Sequence, residues 1–211
     1  GIYVFLLVLI CTFLMVPVFS SDYQTQADQI LKCTRDGKRR LAAARIGAGL
    51  LLTGVLYIVC MALFLLLLNA SFDFKGLDTS LQLLVSVSVF LPVTAGQMEL
   101  LIAGAGFVSL LATASFTLFL SGRMRTVASF AFLILPMMVY MILDGNAGNW
   151  IRCLLPSGGV GMMNSFTYAA MDTKFAYVGS MVVWLPYIML AAAAVEAVLF
   201  AILAGVSWCR R

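Results

Sequence analysis

Long apolar stretches alternate along the chain with shorter polar or basic segments. Five stretches approach or exceed the roughly 20 apolar residues that a helix needs to cross a hydrocarbon core about 30 Å thick. Lipid offers no hydrogen-bond partner to a backbone N–H or C=O group, so membrane spans are either helices or closed barrels. The stretches are continuously apolar, whereas barrel strands alternate, so they indicate helices. We therefore predict an all-α, polytopic transmembrane helical bundle. The five spans of this single domain (1–211) are predicted at about 2–19, 46–68, 98–120, 127–143 and 182–208.

The composition supports a membrane environment. Hydrophobic residues make up 63% of the chain and charged residues 10%, and the mean hydropathy is +1.06. A soluble fold of 211 residues could not bury this many apolar side chains in its core, and large apolar patches would remain exposed to water. The lipid bilayer is therefore the expected solvent of most of the protein.

Lysine and arginine are concentrated in alternate connections between the spans. Ten of the 13 lie in segment 20–45, in the connection after the third span or in the C-terminal tail. The three others are Lys75, Arg152 and Lys174. Lysine and arginine near the ends of a span resist translocation across the membrane. This positive-inside rule predicts that segment 20–45 and the C-terminus are cytoplasmic. Segments 69–97 and 144–181 are then the outer segments.

An odd number of spans with a cytoplasmic C-terminus places Gly1 outside. The chain does not begin with Met, and its first apolar run has no basic flank. A cleaved signal peptide would leave such an end, but an upstream span would restore an even count with both ends inside. We favour the second interpretation and expect six spans in the full protein.

Residues that carry common catalytic and metal chemistry are missing. The chain has no histidine and five cysteines, none in a CxxC pair, so zinc, haem and His-dependent triad chemistry is not expected. The only Gly-Lys pair, Gly37-Lys38, is followed by Arg39 and makes no phosphate-binding loop. We predict no enzyme activity, catalytic residue, metal or cofactor in this chain. The net charge of +4 needs no nucleic-acid partner, since cytoplasmic anchoring explains it.

The segment between the first two spans, 20–45, combines a helix signal with basic residues. Ser21 and Gln24 fit a capping box, which predicts that a short helix starts there. Its apolar positions follow the helical period and are Tyr23, Ala27, Ile30 and Leu31. This pattern is typical of an amphipathic helix at a membrane surface or against a partner. A solvated basic connector explains the charges equally well but explains the helix less well.

The order of these features resembles the permease subunits of type-2 ATP-binding-cassette exporters. The motifs are Ser-Asp-Tyr from Ser21, then Ile-Leu-Lys-Cys-Thr-Arg-Asp-Gly-Lys-Arg-Arg-Leu from Ile30, then a new span from Ala42. In that family the equivalent stretch is a coupling helix that docks on the ATPase. The resemblance places this role on Asp22, Ile30, Leu31, Thr34, Arg35 and Gly37, and extends the pattern to Arg39, Arg40 and Arg45. The family often has Glu at the position of Asp22 and Lys at that of Arg45; both departures keep the charge.

The resemblance implies a function, partners and a location. The chain would be the permease domain of an ATP-driven exporter, moving a hydrophobic or amphipathic substrate outward while a separate ATPase subunit binds ATP. It would pair with a second permease subunit, as a homodimer, in a bacterial plasma membrane. The other hypothesis is a non-transporting membrane assembly or signalling protein, whose basic loop binds anionic lipid or a soluble partner.

Polar residues at membrane depth are candidates for a substrate path. Glu196 lies among apolar residues in the last span, where an unpaired carboxylate costs several kcal/mol; it is either functional or bonded to a neighbouring helix. Glu99 stands at the outer end of the third span, within reach of water. Ser109 and Thr113 belong to an i, i+4 row that favours close helix packing or, alternatively, lines a polar conduit.

The two outer segments contain apolar runs too short to span. In 144–181 the run from Leu154 to Gly161 is broken by Pro and Gly, and it is either a re-entrant segment or a plain extracellular loop. The run from Leu81 to Val93 is predicted to form an interfacial helix that leads into the third span.

Overall fold

The computed structural model is mostly helical, and it has a small hairpin before the last helix. It describes residues 2–24, 39–84, 92–124, 128–129, 154–155, 166, 169–170, 175–178 and 181–210. The elements are α1 (Ile2–Met15), α2 (Pro17–Gln24), α3 (Arg39–Ser71), α4 (Leu81–Leu84), α5 (Ala95–Ser121), β1 (Phe175–Val178), β2 (Met181–Trp184) and α6 (Leu185–Arg210).

Four helical stretches are long and apolar enough to cross a membrane: Tyr3–Asp22, Arg39–Ser71, Ala95–Ser121 and Leu185–Cys209. They confirm a membrane-embedded helical protein and correspond to four of the five predicted spans. The fifth, at 127–143, lies outside the described residues except for Ala128 and Ser129.

The spans differ in how much of their surface the protein covers. The fraction buried is 56% for the first and 50% for α5, but 22% for α3 and 17% for α6. Large apolar side chains such as Leu51, Leu67 and Ile202 are exposed along the outer helices. In lipid such faces are solvated, so α1 and α5 form the centre of the described bundle and α3 and α6 flank it.

Contacts at the helix ends give the direction of each helix. Asp22 in α2 pairs with Arg45 in α3, and Phe19 packs on Trp208 of α6 with ring centroids 5.1 Å apart. We call this end, which also holds Arg123, the basic end. At the opposite end Asn69 of α3 donates a hydrogen bond to Glu99 of α5 at 3.0 Å.

The first three spans are therefore antiparallel in sequence order, whereas α5 and α6 run in parallel. Leu81 and Met98, both at the opposite end, form a cluster with Ala170 and Trp184, which directly precedes α6. The chain thus passes from the basic end to the opposite end between Met124 and Phe175. The predicted span at 127–143 falls in that interval.

Several element boundaries differ from the sequence prediction. Ser21 lies inside α2, which begins at Pro17, so no helix starts at Ser21; proline is well placed at a first helical position. The positions Ala27, Ile30 and Leu31 of the predicted amphipathic helix lie outside the described residues. The last span begins at Leu185 and not at 182, since Met181–Trp184 pairs with Phe175–Val178 as an antiparallel hairpin. Apart from this small hairpin, the described elements are helical, which is consistent with the predicted all-α bundle. A capping box does occur, but at Thr94 and Gln97, where it starts α5.

The outer segments are described only in part. In the first, α4 (Leu81–Leu84) begins where the predicted helix over 81–93 begins, and residues 85–91 lie outside the described residues. Ser80 bridges Thr94 in extended conformation. The predicted re-entrant run in 144–181 lies outside the described residues apart from Leu154 and Leu155.

Three helices approach one another closely at Gly106 of α5. Tyr57 of α3 crosses α5 there, and its hydroxyl donates to the Ala103 carbonyl at 2.9 Å. A Cβ atom on Gly106 would overlap the Tyr57 hydroxyl and lie 2.5 Å from Val4 Cγ1. Glycine at this position therefore lets α1, α3 and α5 meet.

Gly106→Ala is expected to destabilise the bundle by about 1–3 kcal/mol, because the added methyl group forces α1 and α3 away from α5. The measurement is thermal unfolding of the purified protein in detergent. Gly104→Ala is the control, since a Cβ at Gly104 meets no atom within 4 Å and the gain in helix propensity is equal. Equal melting temperatures for the two variants would contradict the close approach.

Candidate functional site at the basic end

The first membrane span is interrupted at Pro17, and a serine from another helix closes the interruption. α1 ends at Met15 and α2 begins at Pro17, so amide groups in the first turn of α2 lack helical partners. The Phe19 and Ser20 N–H groups both donate to Ser121 Oγ, each at 3.0 Å. Ser121 therefore caps α2 from the end of α5.

The Ser121 hydroxyl uses all of its hydrogen-bonding capacity here. It accepts the two amides and donates to the Val16 carbonyl at 2.6 Å, and a hydroxyl has one donor and two acceptor positions. Ser20 Oγ also donates to the Val16 carbonyl, at 2.8 Å. Both serine residues are fully buried, so the Phe19 and Ser20 amides and the Val16 carbonyl are paired inside the protein.

Arg45 of α3 connects α2 to α6. Its guanidinium forms an ion pair with Asp22, donates to the Val18 carbonyl at 3.4 Å and lies 5.7 Å from the centroid of the Trp208 ring. The side chains of Arg45 and Asp22 are 25% and 15% exposed. The pair is thus partly shielded from solvent, where a charge pair is worth more than on an open surface.

Trp208 anchors the end of α6. It is fully buried in a cluster with Phe19, Ala42 and Leu118. Next to it, Ser207 Oγ accepts a hydrogen bond from Arg123 Nε at 3.3 Å. We call the four residues Asp22, Arg45, Ser121 and Trp208 the basic-end clamp, because together they join α2, α3, α5 and α6.

The clamp lies at the base of the predicted coupling segment. Asp22 stands two residues before the end of α2, and Arg45 lies in the second turn of α3. Of the predicted coupling residues, the structure describes Asp22 alone. Ile30, Leu31, Thr34, Arg35 and Gly37 lie outside the described residues. The structure therefore shows how the flanks of the segment are held to the bundle.

Glu196 lies near the middle of α6, on the face that packs against α5. It shares this face with Met189, Ala193 and Phe200, and Phe200 contacts the Phe116 ring at 5.0 Å. Glu196 is half-buried, and its Oε2 atom is buried with no hydrogen-bond partner among the described residues. Glu196 lies one turn before Phe200 on α6. Because α5 and α6 run in parallel and Phe200 contacts Phe116, Glu196 is at the depth of the α5 turn that precedes Phe116.

The other predicted path residues are engaged within the protein. Thr113 Oγ1 donates to the Ser109 carbonyl at 2.7 Å, and Thr117 Oγ1 donates to the Thr113 carbonyl at the same distance. These three residues are buried, an arrangement that suits close helix packing. Glu99 accepts a hydrogen bond from Asn69 at the opposite end, so the structure does not bring it together with Glu196.

Sequence reasoning did not find the roles of Ser121 and Trp208. In the sequence, Ser121 is one more small residue in the i, i+4 row that contains Ser109 and Thr113, and Trp208 is the last residue of the final predicted span. Pro17 gave a signal that a span contains a break, but not which residue closes it. Among the described residues, no group of His, Cys, Asp or Glu is placed to hold a metal ion.

Comparison with known proteins gives no relative. No protein-family model matches the chain, and no curated protein or solved structure matches it. The family resemblance therefore rests on the motifs of the chain itself.

Ser121→Ala is expected to destabilise the protein by about 2–4 kcal/mol, because it leaves two buried amides without an acceptor. Ser115→Ala is the matched control: Ser115 is also fully buried on α5, and its Oγ has no hydrogen-bond partner among the described residues. Thermal unfolding in detergent compares the two. If Ser115→Ala costs as much as Ser121→Ala, the proposed capping is wrong.

The Asp22–Arg45 pair is expected to give a coupling energy above about 1 kcal/mol in a double-mutant cycle with Asp22→Asn and Arg45→Gln. The comparison is the ion pair of Asp73 and Lys75, whose side chains are 79% and 82% exposed. A double-mutant cycle with Asp73→Asn and Lys75→Gln should give a smaller coupling energy for this exposed pair. Chemical unfolding of all variants in mixed micelles measures both energies. A value for the clamp pair no greater than for the exposed pair would show that shielding adds nothing.

Proposed function

We propose that this protein is the membrane-spanning subunit of an ATP-driven exporter, with ATP bound and hydrolysed by a separate ATPase subunit. The basic-end clamp is the observation that carries the proposal. It fixes both flanks of segment 25–38, the part of the chain that resembles the coupling helix of type-2 exporters. A force applied to that segment would reach four helices through side chains described above.

Each clamp contact gives a route for that force. Asp22 carries a displacement into α2, and Arg45 carries it into α3 and, through its contact with Trp208, into α6. Ser121 links α2 to the end of α5. Because the backbone is already broken at Pro17, α2 can tilt relative to α1 without the loss of further helical hydrogen bonds. Docking of the ATPase on segment 25–38 would in this way tilt the spans together.

The lining of the spans supports a hydrophobic or amphipathic substrate. The hydroxyl groups of Thr113 and Thr117 donate to carbonyls of their own helix, so they add little polarity to a path along α5. Glu196 is the described acidic residue at mid-depth, and its position between α5 and α6 makes it the first residue to test for contact with substrate. We place the complex, with two copies of this chain and a cytoplasmic C-terminus, in a bacterial plasma membrane.

The experiment is co-expression with the ATPase encoded nearest to this gene, followed by purification in lipid nanodiscs. We expect the double variant Leu31→Asp/Arg35→Asp to lose the ATPase from the complex, because both changes put acid on the predicted docking face. Asp22→Asn should keep the ATPase bound but lower ATP hydrolysis at least fivefold, the smallest effect typical of coupling between sites.

Lys75→Gln, at the opposite end of the bundle, is the control and should change neither binding nor hydrolysis. If the double variant retains a fully active ATPase, the coupling assignment is wrong. If the unaltered protein binds no ATPase at all, the non-transporting alternative is favoured instead.

A further inference from the structure

An apolar groove opens at the basic end between the start of α3 and the end of α6. Its volume is about 750 Å³, within the range of sites that bind small molecules. Small residues from both helices line it, among them Ala43, Gly47 and Gly205, with Ile202 beside them and Arg39 and Cys209 where the two helices end. We call it the basic-end groove.

The glycines keep this groove open. A Cβ atom on Gly47 would meet no atom within 4 Å, and one on Gly205 would meet only Ile46 Cδ1, at 3.8 Å. The space is therefore not needed for contact between α3 and α6. In a bilayer an apolar channel on the outer surface of two spans is open to acyl chains.

Among the described residues, the charge at the groove is positive. Arg39 lines it, and its side chain is exposed. Asp22, the one acidic residue described at this end, is paired with Arg45 and neutralised. Basic pockets between spans at the level of lipid headgroups favour anionic lipids, so the charge and the apolar lining call for an occupant with an anionic head and an apolar tail.

We propose that the basic-end groove binds one acyl chain of a phospholipid whose anionic headgroup is held by Arg39. A second copy of the chain fits the groove less well. A twofold pairing through the groove would place two exposed arginines of the same sign in one interface, where like charges repel. The proposal does not depend on the exporter function.

The test uses the full chain in nanodiscs that contain photoreactive phosphatidylglycerol or phosphatidylcholine, each with the reactive group on an acyl chain. Mass spectrometry locates the crosslinks. We expect crosslinks on the lining parts of α3 and α6, with about a fivefold preference for phosphatidylglycerol, as one arginine near the surface provides. Arg39→Gln should abolish the preference, and Gly47→Leu or Gly205→Leu should lower crosslinking of both lipids.

Two control variants make the test specific. Arg40→Gln removes a neighbouring exposed charge that does not line the groove, and Gly104→Leu enlarges an exposed glycine on α5; both should leave the preference intact. The proposal is overturned if Arg40→Gln acts like Arg39→Gln, because attraction would then be diffuse. It is also overturned if the two lipids crosslink equally, or if the groove crosslinks to a second copy of the chain.

Discussion

The basic end of this protein depends on closing a backbone break inside a membrane span. A peptide group without a partner in hydrocarbon costs several kcal/mol, so a proline in a span is tolerated only where other protein groups replace the lost bonds. Ser121 and Ser20 provide these bonds around Pro17. As a result the first turn of α2 is held by the end of α5, and the last turns of the first span lie at the basic end.

The same region contains the partly shielded ion pair between Asp22 and Arg45. Arg45 is neutralised by Asp22 and covered by the Trp208 ring, so it contributes to the join between helices and adds little to the surface potential. Arg39, one and a half turns earlier on α3, faces the basic-end groove and is exposed. Two arginines close in sequence therefore differ in their surroundings: Arg45 joins helices beside the predicted coupling segment, and Arg39 lines the basic-end groove.

The parallel arrangement of α5 and α6 shapes the centre of the membrane region. Their interface is lined by rings such as Phe116 and Phe200 and contains Glu196 near its middle. Parallel neighbours require a crossing of the membrane between them, and the predicted span at 127–143 is long and apolar enough to provide it. A buried carboxylate oxygen at such an interface is held away from water, which makes it costly and therefore informative.

The sequence by itself determined that the protein is helical and embedded in a membrane, because the length and continuity of its apolar runs leave no other way to pair the backbone in lipid. It located the four described spans to within a few residues at most ends. The family resemblance, and not charge or spacing alone, placed Asp22 and Arg45 in one motif, and the structure pairs these two side chains.

Only the tertiary structure decided which residues meet. Ser121 lies about 100 residues from the amides that it caps, and no local pattern marks it apart from the other small residues of α5. The hairpin before α6 required a pairing partner at Phe175–Val178, which periodicity in Met181–Trp184 does not reveal. The basic-end groove exists because glycines and alanines on two distant segments face each other. Hydrophobic pattern is a property of one segment, whereas capping, strand pairing and cavity shape are properties of two, and they appear only when the chain is folded.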